Sequence, residues 1–155
     1  MKELFDVHCH MVPGVDDGAA DLEESLAMLK MQHEDGVRKI IITPHYRRRM
    51  FETPAKKVHE QFLKLQEAAK KEYPDMSLYL GCELHSNMDL QDILEKRKYV
   101  TMAGSSYVLL EFSEGDSAQH IRERVYNVLS CGYEPIIAHV ERYQAAVVSK
   151  ARALL

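Results

Sequence analysis

Leu4-Phe5-Asp6-Val7-His8-Cys9-His10, running into Met11-Val12-Pro13-Gly14-Val15-Asp16-Asp17-Gly18, is the stretch on which the rest of the chain turns. Read as a strand, it places Asp6, His8 and His10 on one face, because side chains at i, i+2 and i+4 point the same way. Metal-competent side chains at that spacing are hard to explain as packing. The turn that follows carries Asp16 and Asp17. Strand and turn together predict the floor of a polynuclear metal site, with Asp16 and Asp17 both open as turn ligands.

Working outward, Asp21 and Glu24 form a capping box that opens a helix with Leu22, Leu26 and Leu29 on one stripe, stopped at Gly36. Val37 to Thr43, with Ile40-Ile41-Ile42 at its centre, reads as a strand buried on both faces. A basic loop, Tyr46-Arg47-Arg48-Arg49, leads to Thr53-Pro54, read as a capping residue and a proline in the first helical turn. The next helix carries Val58, Phe62, Leu65 and Ala69. Met76 to Glu83 is a third strand, and a short polar helix spans about Asp89 to Lys98. Tyr107 to Phe112 is a fourth strand. A helix from Asp116 follows, then a fifth strand, Ile136 to His139, and a helical segment from Gln144 to Leu155.

Successive βα units of this kind imply a parallel sheet with right-handed crossovers. His8, His10, His45, Glu83, Glu111 and His139 all fall at or just past the C-terminal end of a strand. That is the active-site face of α/β barrels and open α/β sheets. Imidazoles and carboxylates without thiolates suit manganese, iron or zinc in a reactive site. Glu83 or Glu111 is the natural bridging carboxylate, and Glu111 lies in an apolar run where an unpaired charge is costly. His85, two residues past Glu83, is a further candidate. Metals a few ångströms apart suit in-line displacement at phosphorus. Arg47, Arg48 and Arg142 lie on the same face and are the candidates for gripping phosphate oxygens.

Bulk properties exclude several classes. The chain has 155 residues and a net charge of −4, so nothing global argues for nucleic acid or an anionic membrane. No apolar run approaches the ~20 residues of a membrane span, and no signal peptide is visible, so a cytoplasmic protein is expected. Cys9, Cys82 and Cys131 are widely spaced, which fits a reducing compartment. None has an arginine six residues later, so a cysteine-based phosphatase is disfavoured, and Cys9 is expected in the core.

Asp6-x-His8-x-His10 is similar to the opening motif of the PHP (polymerase and histidinol phosphatase) superfamily. The chain resembles more narrowly the bacterial PHP-type protein-tyrosine phosphatases of capsule and exopolysaccharide operons. The similar stretches are DVHCHMVPGVDDG (6–18), EESLAMLK (23–30), TPHYRRRMFETP (43–54), GCEL (81–84), LLEFS (109–113) and PIIAHVERY (135–143). This resemblance implies a PHP-type distorted (β/α)7 TIM-like barrel, of which the first five or so units are present. Residues 1–155 would form a single, C-terminally incomplete PHP domain.

It also implies the ligand groups. His8 and His10 would hold one metal, and Glu83 would bridge it to a second held by Glu111 and His139. His45 and Asp17 would hold a third. Arg142 would sit near the substrate phosphate, and Asp6 would orient a histidine. The metals would be two or three divalent ions, with Mn2+ the expected one and iron or zinc the alternatives. The substrate would be a tyrosine-phosphorylated protein, a bacterial tyrosine autokinase of polysaccharide export. No nucleic-acid partner or membrane insertion is expected, and a homo-oligomer is left open. The family's late Ser-Asp-x-His motif has no counterpart, since no Asp follows Asp116. A closed barrel takes about 200–250 residues, so this chain is expected to be an N-terminal portion. The rival readings are a PHP phosphoesterase acting on a small molecule such as histidinol phosphate, and an inactive fragment that only binds or oligomerises.

Overall fold

A computed structural model describes residues 3–97 and 99–144. The strands are β1 (Leu4–Cys9), β2 (Val37–Ile42), β3 (His45–Tyr46), β4 (Ser77–Leu80), β5 (Glu83–His85), β6 (Tyr107–Glu111) and β7 (Glu134–Ile137). The helices are α1 (Leu22–Glu34), α2 (Ala55–Glu72), α3 (Leu90–Lys96) and α4 (Ala118–Ser130). Every pairing between these strands is parallel, as expected of an α/β chain. The helical segment expected from Gln144 to Leu155 lies, beyond Gln144 itself, outside the described residues.

The strands form two groups, ordered β1-β2-β4 and β3-β5-β6-β7. Single backbone hydrogen bonds join them. Thr43 N–H donates to the Cys9 carbonyl and Gly81 N–H to the Ile42 carbonyl, each at 2.8 Å, and Glu83 N–H donates to the Pro44 carbonyl at 3.1 Å. The strands expected over 37–43 and 76–83 are therefore split into tiers, β2 then β3 and β4 then β5. Pro44 has no N–H to continue a ladder. At Gly81 a Cβ would lie 3.1 Å from Ile41 Cγ2 and 3.2 Å from Met102 Sδ, so the backbone is pressed against its neighbours. The upper-tier register then pairs His45 with Glu83 and His85 with Glu111.

Packing follows the apolar spacing. Val58, Phe62, Leu65 and Ala69 of α2 are all buried and meet Leu29 of α1 and Ile40, Ile42 and Leu78 of the lower tier. A second cluster gathers Leu84, Leu90, Val108, Leu110, Val128 and Tyr143 under the upper tier. The helix expected to be polar, α3, in fact buries Leu90, Ile93 and Leu94.

The caps hold with two changes. Asp21 accepts the Glu24 N–H at 2.9 Å, while the Glu24 carboxylate reaches back to Ala20 N–H, at 2.8 Å, rather than to Asp21 itself. Thr53 does not cap α2, whose N-cap is Pro54. Its hydroxyl donates instead to the Val15 carbonyl at 2.8 Å and ties the basic loop to the Asp16-Asp17 turn.

Candidate metal centre

Glu83 stands at the middle of the site, 1% exposed, at the start of β5. Its Oε2 lies 3.0 Å from His8 Nε2, 3.2 Å from His10 Nε2 and 3.3 Å from His45 Nδ1. Its Oε1 lies 2.9 Å from His139 Nε2. Imidazoles from the end of β1 and from just past β7 thus converge on one carboxylate with that of His45, which, like Glu83, opens a short upper-tier strand rather than closing the longer strand expected from the sequence. Glu111, at the end of β6, closes the ring, 3.6 Å from His45 Nδ1 and 3.9 Å from His139 Nε2. Asp17 Oδ1 is 3.6 Å from His45 Nε2.

These groups line a cavity of about 430 Å³ bounded by His8, His10, Asp17, Gly18, His45, Glu83, Glu111, His139 and Arg142. All seven metal-ligand candidates and one of the three arginines expected at the site therefore meet in one place. Arg47 lines a neighbouring cavity of about 250 Å³ that shares Glu111, His139 and Arg142 with the first. Arg48 is among the lining residues of neither, and its backbone N–H points at Met88 Sδ, 3.1 Å away. The basic run forms a tight turn: Arg47 and Phe51 pair antiparallel, Arg49 takes a φ of 64°, and Phe51 stacks on His45 with ring centroids 5.1 Å apart.

The donor arrangement fits divalent metal. His8, His10 and Glu83 offer one cluster of ligand atoms, His10, Asp17 and His45 a second, and His45, Glu83 and Glu111 a third. His45 Nδ1 and Glu111 Oε2 are buried, 3.6 Å apart and without a hydrogen bond among the described residues. Buried polar atoms are rarely left so, and a cation between a ring nitrogen and a carboxylate oxygen satisfies both.

Burial works against charge on Glu83, yet the hydrogen bonds of His10 and His8 outweigh it and hold the carboxyl far below the usual carboxylate range. Burial likewise opposes a charged His10, but Asp16 and Glu83 push its ring up to about 10.

Two residues orient the imidazoles in a way the sequence did not show: Asp16, expected only as a candidate ligand, and Tyr143. Asp16 Oδ2 lies 2.9 Å from His10 Nδ1 and accepts the His45 backbone N–H at 2.9 Å, while its Oδ1 accepts Gly18 N–H at 3.1 Å. A carboxylate only accepts, so it fixes the Nδ1–H form of His10 and aims Nε2 into the site. Asp6, expected in that role, accepts its own strand's His8 N–H at 3.0 Å and the side chain of Gln32 of α1. Its geometry ties β1 to α1 instead. Tyr143, 1% exposed, places its hydroxyl 3.1 Å from His139 Nδ1, and burial pushes its phenol up to about 12. The adjacent aspartates and the i+4 spacing from His139 were the available signals.

His85 is excluded from the ring by its own hydrogen bonds. Nδ1 accepts Asn87 N–H at 3.2 Å and Nε2 faces Ser113 Oγ at 3.4 Å. Burial, with Arg47 nearby, lowers its pKa. Cys9 is in the core, its thiol pushed far up first by burial, and the fully buried Cys82 is pushed up to about 12 for the same reason. Neither is poised to act as a thiolate.

Parallel strands that bring imidazoles, carboxylates and an arginine to one cavity, from the ends of β1, β6 and β7 and the starts of β3 and β5, define the class: an α/β protein with a candidate multinuclear metal centre. The chain belongs to the CpsB/CapC family of capsular polysaccharide synthesis, whose family model matches residues 4–154. It is 42% identical over 142 residues to the tyrosine-protein phosphatase CpsB of Streptococcus pneumoniae, which covers 92% of this chain and 58% of that protein. It is 30% identical over 139 residues to the tyrosine-protein phosphatase YwqE of Bacillus subtilis, covering 90% of this chain and 55% of that one. A solved structure from work on YwqE of B. subtilis and CpsB of S. pneumoniae, described as unique metal-dependent tyrosine phosphatases, superposes with a TM-score of 0.83 at 28% identity. That match covers 97% of this chain and 60% of the other. The chain thus spans less than two thirds of the length of these relatives. No helix among the described residues is long and apolar enough to cross a membrane.

Proposed function

We propose that this chain carries the metal-binding face of a metal-dependent protein-tyrosine phosphatase, within a single PHP domain of distorted (β/α)7 TIM-like barrel type. The observation that carries the reading is the convergence of His8, His10, His45 and His139 on Glu83, with Arg142 on the rim of the same cavity. The names of the relatives support it.

His8, His10 and Glu83 would hold one metal. Glu83, Glu111 and His139 would hold a second, and His45 and Asp17 a third. Mn2+ is the ion we favour. Bound divalent ions supply charge stabilisation at the phosphoryl group and lower the pKa of water. The rest falls to the chain's own side chains. Arg142 is placed to grip phosphoryl oxygens, and its fork suits two of them at once. Arg47 lines the adjoining cavity, where the remainder of a peptide substrate would pass. Glu83 and Asp16 hold the imidazoles in position before substrate arrives, so little reorganisation is needed as charge develops. Cys9 and Cys82, buried with their thiols held protonated, offer no thiolate for a covalent phosphoenzyme.

The proposed substrate is a tyrosine-phosphorylated protein, the tyrosine autokinase of a capsule or exopolysaccharide system, met in the cytoplasm. Turnover of a phosphotyrosine peptide against histidinol phosphate, each with Mn2+, tests the reading. Preference for the peptide is expected, and preference for the small metabolite by orders of magnitude would overturn it.

A further inference from the structure

His139 sits in an unusual backbone state. Its φ of 31° and ψ of 50° are left-handed, which costs a non-glycine residue about 1 kcal/mol or more unless its surroundings enforce it. β7 ends at Ile137, Ala138 N–H still donates to the Leu110 carbonyl, and a 3-10 turn over Val140–Arg142 then brings Tyr143 back beneath His139. The Tyr143 ring packs edge-on against Phe112, with centroids 5.8 Å apart and planes at 82°. Its oxygen accepts the Phe112 backbone N–H at 3.0 Å and lies 3.1 Å from His139 Nδ1. Phe112 directly follows Glu111, so one phenol oxygen ties His139 to the strand end that carries its neighbouring carboxylate.

The hydrogen-bond count at that oxygen is informative. A hydroxyl has one proton and two acceptor sites. Phe112 N–H takes one acceptor site, leaving a donor and an acceptor for His139. Around His10, by contrast, Asp16 accepts only, so that ring is fixed in a single form. His139 Nε2 lies 2.9 Å from Glu83 Oε1, and carries the proton while it donates there. In the neutral ring Nδ1 then accepts from the phenol. When Nε2 gives its lone pair to a cation, Nδ1 must carry the proton, and the same oxygen can accept it.

We propose that Tyr143 is a positioning residue for His139. Its hydroxyl holds the imidazole against the Glu111 strand end and serves either tautomer, so Nε2 passes from Glu83 to a divalent metal without the ring turning. This rests on the reading that His139 is a metal ligand.

Tyr143→Phe keeps the buried ring and removes only the oxygen. Zn2+, a diamagnetic probe, is titrated against a competing chelator, with circular dichroism to confirm the fold. Zn2+ affinity is expected to fall about 10–100-fold, and Tyr143→Phe is expected to have no further effect in a His139→Ala background. Unchanged affinity, or an equal loss in both backgrounds, overturns the proposal. The wild-type protein gives a reading that needs no variant to fold. Nitrogen-15 NMR at pH 8 should find the His139 proton on Nε2 without metal and on Nδ1 with Zn2+. A proton on Nδ1 in both states, or coordination through Nδ1, overturns it. Wild-type His139 signals untouched by Zn2+ would overturn the metal reading and this proposal together. Normal Zn2+ binding by Tyr143→Phe would overturn only the role of Tyr143.

Discussion

Gly18 lies so close to His10 that a Cβ at Gly18 would sit 2.0 Å from the His10 carbonyl oxygen and 2.5 Å from its Cβ. The contact closes the Asp16-Asp17 turn onto the end of β1, and Ala19 N–H donates to that same carbonyl at 3.1 Å. Gly18→Ala therefore has to push the turn away from the strand. It should cost about 1–3 kcal/mol in urea unfolding and weaken Mn2+ binding, because His10 and Asp17 lose their common frame. Wild-type Mn2+ affinity in this variant would show that the turn takes no part in the site.

Glu83 is the carboxylate on which the imidazoles converge, and Glu83→Gln keeps its shape while removing its charge. Mn2+ content measured on the purified protein should fall below that of the wild type, with affinity weakened at least about 100-fold. Retained stoichiometry would show that Glu83 does not bridge.

His10 makes metal uptake depend on pH. In the metal-free protein its ring titrates at about 10, above its ordinary value of 6.5. The stabilisation this proton gives is fully present below 6.5 and is lost as pH rises through about 10. A ligand nitrogen must be deprotonated, so metal competes with that proton and the sign for binding is opposite. Mn2+ affinity should climb between pH 6 and pH 9, and uptake at pH 7 should release protons. Calorimetry in buffers of different ionisation enthalpy measures that release, and heats independent of buffer would refute it.

Arg142 lines the same cavity as the candidate metal ligands, and a guanidinium has no lone pair to give a metal. Arg142→Ala should lower kcat/KM for a phosphotyrosine peptide about 10²–10³-fold in protein that still binds Mn2+ normally. Arg142→Lys should recover part of that loss, since lysine keeps the charge but not the fork. Loss of metal from either variant would place the arginine in the metal frame instead.

The period-2 placement of His8 and His10 and the apolar run around Glu111 were enough to foresee which strand ends meet, because strand alternation and the cost of a buried charge are local signals. What escaped the sequence depended on tertiary partners. The break between β2 and β3 required knowing how far the Pro44 ladder could run, and that at Gly81 required the side chains of Ile41 and Met102. Thr53 reads as a helix cap until the Val15 carbonyl is placed beside it. Asp6 and Asp16 are equally plausible supports for a histidine in one dimension. Only the path of the turn shows that Asp16 reaches His10 and that Asp6 is taken by Gln32.

The split of two strands into tiers also bears on motion. Both tiers cover buried apolar clusters, but β2 runs six residues while β3 and β5 have two and three, and among the described residues the backbone bonds at the seam are those of Thr43, Gly81 and Glu83. Local opening follows such seams. Amides of His45, Tyr46 and Glu83 to His85 should therefore exchange with solvent deuterium earlier than those of Ile40 and Ile42 in metal-free protein. Metal bound across both tiers would act as a rivet, slowing the upper amides far more than the lower ones.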